Sequence, residues 1–310
     1  MGNNGLAGRS VLVTGGAGFI GSRLTNTLVD NTDVTVYDSL TTGDRATVPE
    51  KAALIEADIR EEATLEGAIA DADVVFHEAA LVSVAQSIEA PRASHSTTAT
   101  GTLNVLEAAR KHDTSVVLAS SAAIYGQPET IPIDEAHPKT PTSPYGLDKL
   151  AADHYARLYH EHYGLETIAL RYFNVYGPGQ TGGDYAGVIS VFIEQALNGE
   201  PITVHGDGTQ TRDFVFVEDV VEANLVAART THVGEAYNIG TGESVTIREL
   251  AELIRDITDA ESEIVHTEPR DGDIEHSEAD ISKATEQLEF EPTVPLREGL
   301  ERTIEWYRCR

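Results

Sequence analysis

The stretch VLVTGGAGFIG (11–21) constrains the fold of this 310-residue chain more than any other. An apolar run, SVLVT (10–14), leads straight into it, and a helical pattern continues to about Val29. Gly16, Gly18 and Gly21 fit the spacing GxGxxG, and Gly15, Gly18 and Gly21 fit GxxGxxG, the more telling of the two. Glycines here let the backbone turn sharply and approach a pyrophosphate at a helix N-terminus. The strand before and the helix after supply the context that a glycine string alone lacks.

The same alternation continues. DVTVYD (33–38), AALIEAD (52–58), DVVFHEAA (73–80), SVVLASS (115–121) and ETIALRYFN (166–174) read as strands, with helical patterns between most of them. Val- and Ile-rich runs separated by helices predict an α/β fold, a doubly wound parallel sheet covered on both faces. Residues 1–174 are expected to form this dinucleotide-binding domain. After Asn174 the pattern changes: VYGPGQTGGDYAG (175–187) reads as a loop over a site. PITVH (201–205) and DFVFV (213–217) then mix with helices near 246–257 and 296–307. Residues 175–310 are expected to form mainly a smaller mixed α/β substrate domain, with some segments returning to the first and a cleft between.

Asp38 closes the second strand, 17 residues after Gly21. A carboxylate there accepts bonds from the adenosine ribose and repels a 2′-phosphate, favouring NAD over NADP. Asp58 and Ile59 are expected to bracket the adenine, the other reading of Asp58 being a helix cap before REEA (60–63).

In SPYGLDKLAADHY (143–155), Tyr145 precedes Lys149 by one helical turn, so both lie on one face. A free tyrosine, with a pKa of about 10, is too weakly acidic to act as a base at neutral pH. A neighbouring ammonium and a positive nicotinamide would favour its phenolate. TGGAGFIG, DI (58–59), SSAAIYG (120–126), YGLDK (145–149) and RYFNVYGPGQ (171–180) occur in that order. Together they resemble the extended short-chain dehydrogenase/reductase family and, within it, the nucleotide-sugar 4-epimerases, from about Arg9 to Tyr307.

The resemblance implies a Rossmann domain and NAD-dependent inversion at C4 of a UDP-hexose through a 4-keto intermediate. UDP-glucose, UDP-galactose and their N-acetyl forms are the substrates it suggests. Tyr145 would be the base, Ser121 the proton relay, with Ser120 a competitor, and Lys149 would also hold the nicotinamide ribose. Gly15, Gly18, Phe19, Ile20, Gly21, Asp38, Asp58 and Ile59 would complete the NAD site. Ser83, Asn174, Arg212, Arg270, Asp273 and Ser277 would hold the substrate. The two arginines would clamp the diphosphate, Asp273 would bind a ribose or orient Arg270, and Ser277 would leave room for an N-acetyl group. Dehydratases and decarboxylases of this kind need carboxylates directly after the catalytic hydroxyl residue, where this chain has Ala122 and Ala123. Two departures stand out: Thr98 replaces a usual asparagine, and Val82 stands where hexose-preferring epimerases often carry lysine. A homodimer through helices near 92–111 and 144–163 is also implied. The alternatives are a UDP-glucuronate 4-epimerase, another nucleotide-sugar reductase, or a non-enzymatic NAD-sensing regulator; the last often loses the tyrosine or lysine kept here.

Charge excludes other classes. Lys and Arg total 22 against 51 for Asp and Glu, a balance of −29, with lysine only at 51, 111, 139, 149 and 283. Such a chain should not hold nucleic acid or anionic membranes. Acidic residues spread along the whole chain resemble those of proteins from salt-loving organisms. Cys309 is the only cysteine, so no internal disulfide can form, in keeping with a cytoplasmic setting. No apolar run is long enough to span a membrane, no signal peptide opens the chain, and no metal is expected.

Overall fold

The computed structural model describes residues 6–180, 187–270 and 272–310. The expected stretch 175–187 therefore lies partly outside the described residues, at 181–186. Six parallel strands follow the sequence pattern closely: β1 (Ser10–Thr14), β2 (Asp33–Asp38), β3 (Ala53–Glu56), β4 (Val74–His77), β5 (Ser115–Ser121) and β6 (Thr167–Tyr172). Helices α1 (Phe19–Leu28), α2 (Glu62–Ala70), α3 (Val84–Glu89), α4 (Pro91–His95), α5 (Gly101–His112) and α6 (Pro144–Tyr163) occupy the connections. A π-helical turn, Ser96–Thr100, joins α4 to α5 and contains Thr98.

Beyond β6 come β7 (Asn174–Tyr176), α7 (Val188–Leu197), β8 (Ile202–His205), β9 (Thr211–Arg212), β10 (Phe214–Phe216) and α8 (Val217–Ala227). Next are β11 (Glu235–Ile239), β12 (Val245–Thr246), α9 (Ile247–Thr258), β13 (Ile264–Thr267), α10 (Ser282–Leu288) and α11 (Leu296–Cys309). The main sheet runs β11-β6-β5-β4-β1-β2-β3, so β11 crosses back from the second half to become a seventh strand. The chain reverses direction across the sheet between β1 and β4. In open α/β sheets, ligands bind outside the carboxyl ends of the strands at such a point.

Apolar side chains fill both faces of the sheet. Leu24, Leu28, Phe76, Val220 and Ala223 pack on one face, and Leu65, Ile69, Val105 and Leu106 on the other. A separate core of Phe192, Ile193, Ile202, Phe214, Phe216, Leu250, Ile254, Leu300 and Ile304 supports the smaller second unit. Its sheet pieces are short: β7 with β10, β9 with β12, and β8 with β13.

Candidate active site

The glycine loop fits a dinucleotide. Gly15 has φ +71°, and a Cβ there would lie 2.7 Å from the Ala79 nitrogen. A Cβ on Gly21 would lie 2.2 Å from the Gly15 carbonyl oxygen, so α1 could not approach the loop with any side chain at this position. Gly18 stands at the N-cap of α1, followed by Phe19 and Ile20 in its first turn. The result is a shallow cradle of backbone at a helix N-terminus, suited to a pyrophosphate. The buried Asp38 closes it, with Oδ2 accepting from the Ala17 amide at 3.0 Å and Oδ1 from Leu40 at 2.8 Å. Asp58 accepts from the Arg60 amide and guanidinium, which hold its carboxyl below the ordinary range. Ile59 is buried against Gly101, where a Cβ would sit 2.4 Å from the isoleucine side chain.

Tyr145 owes its position to the start of α6. Ser143 caps the helix by accepting from the Gly146 amide at 3.1 Å, and Pro144 opens the first turn. Ser87 on α3, which nothing in the sequence pattern singles out, accepts from the Tyr145 amide at 3.1 Å. A Cβ on Gly146 would meet the Ala123 carbonyl at 2.7 Å, so glycine brings α6 onto the turn after β5. Ser121, at the end of β5, is thereby brought up to the Tyr145 phenol, close enough to favour its ionised form. Ser120 points away and donates to the buried Asp153 at 3.1 Å, which removes it as a competitor.

Burial acts against the phenolate that the expectation requires. It pushes the Tyr145 phenol up, and only Ser121 draws it down. Lys149 is buried, and its ammonium donates to the Ala119 carbonyl at 2.6 Å. Positive charge near the phenol, from an ammonium and from the nicotinamide of NAD⁺, would counter that burial.

The substrate side gathers distant segments. Arg212 on β9 pairs with Asp273 and donates to the Thr211 carbonyl at 2.7 Å. Asp273 thus orients Arg212 rather than Arg270, whose side chain is exposed. Burial lowers the Arg212 pKa, while the Asp273 carboxylate opposes that shift. Asn174 is exposed at the start of β7, with its amide donating to the Asp213 carbonyl at 3.0 Å. Ser83 caps α3 through the Gln86 amide, and Ser277 is buried near the end of the 272–280 segment.

Asp213 is the organiser that sequence reasoning missed. Fully buried, it accepts from the amides of Thr241, Gly242 and Ala279 and from the Thr241 hydroxyl, at 2.8–3.1 Å. It thereby joins the residue beside Arg212 to the 272–280 segment. In sequence it is one more aspartate among many.

The model of the NAD dependent epimerase/dehydratase family matches residues 11–240. A UDP-glucose 4-epimerase of Mycolicibacterium smegmatis is 37% identical over 96% of this chain and 98% of its own. A Thermotoga maritima UDP-glucose 4-epimerase, solved with UDP-glucose, superposes with TM-score 0.94 at 39% identity, covering 97% of this chain and 99% of that one. A UDP-N-acetylglucosamine 4-epimerase of Methanobrevibacter ruminantium, solved with UDP-N-acetylmuramic acid, gives TM-score 0.95 at 36% identity, over 98% and 99%. The tyrosine, serine and lysine beside a glycine cradle agree with these likenesses, and the chain belongs to the NAD-dependent epimerase/dehydratase family.

Proposed function

We propose that the protein inverts C4 of a UDP-hexose, interconverting UDP-glucose and UDP-galactose. The observation that carries this reading is the close approach of α6 at Gly146 to the Ala123 carbonyl, which sets Tyr145 beside Ser121 and two alanines, Ala122 and Ala123. The site holds the groups for moving a proton at a sugar hydroxyl. It offers no carboxylate after Ser121 to expel water.

NAD is the family's cofactor, and when bound it supplies the hydride acceptor and donor. The glycine loop and Asp38 would hold it, and the Asp38 carboxylate would disfavour a 2′-phosphate. Tyr145 takes the proton from the C4 hydroxyl and later returns it, and Ser121 holds that hydroxyl in line. Arg212, braced by Asp273, grips the diphosphate together with Arg270. A grip at the diphosphate leaves the 4-keto sugar free to turn and present its other face. The small Ser277 leaves space for N-acetylated hexoses.

The enzyme would work as a homodimer. Val84, Ile88, Leu147, Leu158 and Tyr163 form an exposed apolar strip over α3 and α6, and Leu147, Ile88 and Tyr163 are each about 60% exposed. Among the described residues no helix is long and apolar enough to cross a membrane. The acidic surface fits a cytoplasm rich in salt.

The test is incubation in molar KCl with UDP-glucose, UDP-galactose, UDP-N-acetylglucosamine and UDP-glucuronate, resolving C4 epimers. Interconversion of the hexose pair is expected. Turnover of UDP-glucuronate alone would replace this reading with the uronate one. Ser277→Tyr should lower the N-acetyl activity relative to the plain hexose.

A further inference from the structure

Glu78 follows β4 directly, and nothing so far has used it. Its backbone lies against the glycine cradle: a Cβ on Gly15 would come within 2.9 Å of the Glu78 carbonyl carbon. Its half-buried carboxylate accepts from the Tyr172 hydroxyl at 2.9 Å, and that hydroxyl accepts from Asn224 Nδ2 at 2.7 Å. Asn224 is fixed in turn by donating to the Val220 carbonyl on α8 at 2.9 Å. Two elements, β6 and α8, thus hold an acid at the carboxyl end of β4. Glu78 and Ala119 each follow directly on the paired residues His77 and Leu118 of β4 and β5, and Lys149 reaches from α6 to the Ala119 carbonyl, so acid and ammonium lie on neighbouring strand ends.

We propose that Glu78 is the charge partner of Lys149, a positioning residue that keeps the lysine ammonium charged and in place for proton transfer at Tyr145; this rests on the epimerase reading. A buried ammonium with only neutral neighbours tends to lose its proton. The Ala119 carbonyl takes one of its three N–H donors but carries no net charge. Glu78 supplies the missing negative charge. Burial pushes Lys149 down and Glu78 up, and the attraction between the two opposes both shifts. The Tyr172 hydrogen bond also favours the ionised carboxylate.

The surrounding titratable groups leave this role to Glu78. His77, on β4, is pushed down to about 3 by burial and bonds Thr14 and Thr102, so it stays neutral. Tyr145 on α6 and Tyr172 on β6 are both pushed up by burial and remain neutral near pH 7. Asp153, one turn beyond Lys149, is committed to Arg171 and Arg157. Asp148 is committed to Ser94 and His95.

With only five lysines, the chain allows a direct test by ¹³Cε-lysine NMR titration of the NAD-loaded protein, with Lys149→Arg used to assign the signal. Glu78→Gln removes the attraction, so Lys149 should titrate about one pH unit lower or more. The alkaline limb of kcat/KM should move down with it. Tyr172→Phe keeps the ring but drops the hydrogen bond that favours ionised Glu78. It should move Lys149 the same way by less, and it serves if Glu78→Gln does not fold. A Lys149 titration unmoved in the folded variants overturns the proposal. A shifted titration in a protein that turns over no UDP-hexose supports the pair and removes the epimerase reading instead.

Discussion

The two ends of the proposed site are built differently. The nucleotide end is a cradle of backbone from one continuous segment, Gly15 to Gly21, closed by Asp38 on the next strand. The substrate end is a clamp of side chains: Arg212 from β9 and Asp273 from a segment about sixty residues later, both braced by Asp213 and the 241–242 turn. A cradle works by the absence of atoms, so a single added carbon damages it. A clamp works by charge, so its loss weakens one ligand and leaves the other alone.

Tyr145→Phe should have the largest effect, lowering turnover by about 10²–10⁴-fold with bound NAD retained. Stopped turnover with cofactor still present in absorbance spectra would place the chemistry apart from the cradle. Near-parental turnover would remove Tyr145 as the base. Gly21→Val comes next, since its first added carbon falls 2.2 Å from a backbone oxygen. Overpacking of this kind costs about 1–3 kcal/mol or more, so NAD affinity should fall about fivefold or more in calorimetry. An unchanged NAD affinity would show that the cradle tolerates what its geometry forbids.

Arg212→Gln sharpens the contrast from the other side. Losing a charged hydrogen-bonding group costs about 1.5–3 kcal/mol, so the KM for the UDP-sugar should rise roughly tenfold or more. NAD content should not change, and a parallel loss of NAD would mean that the two ends are not separable. Salt should have the smallest effect and act on both ends alike. A charge of −29 repels itself over about 10 Å at 0.1 M salt and about 3 Å at 1 M. The melting temperature should therefore rise from millimolar to molar KCl, and a flat profile would contradict this.

Much of this was legible in the sequence because its determinants are local. Glycine spacing, strand alternation and the one-turn interval from Tyr145 to Lys149 report on backbone shape within a few residues, and six strands of the main sheet followed from pattern alone. Tertiary structure decided what depends on pairing between distant segments. β11 joins the main sheet only because α8 returns the chain to its edge. Ser121 rather than Ser120 faces the site because alternate residues of β5 point to opposite faces. Asp273 meets Arg212, 61 residues earlier in the chain, because folding brings β9 and the 272–280 segment together. Charge is the same in any conformation, but the effect of a charge depends on desolvation and on neighbours. For that reason the sequence could name Tyr145 and Lys149, while only the folded chain showed the phenol pushed up by burial and an acid, Glu78, on the strand end next to the one the lysine reaches.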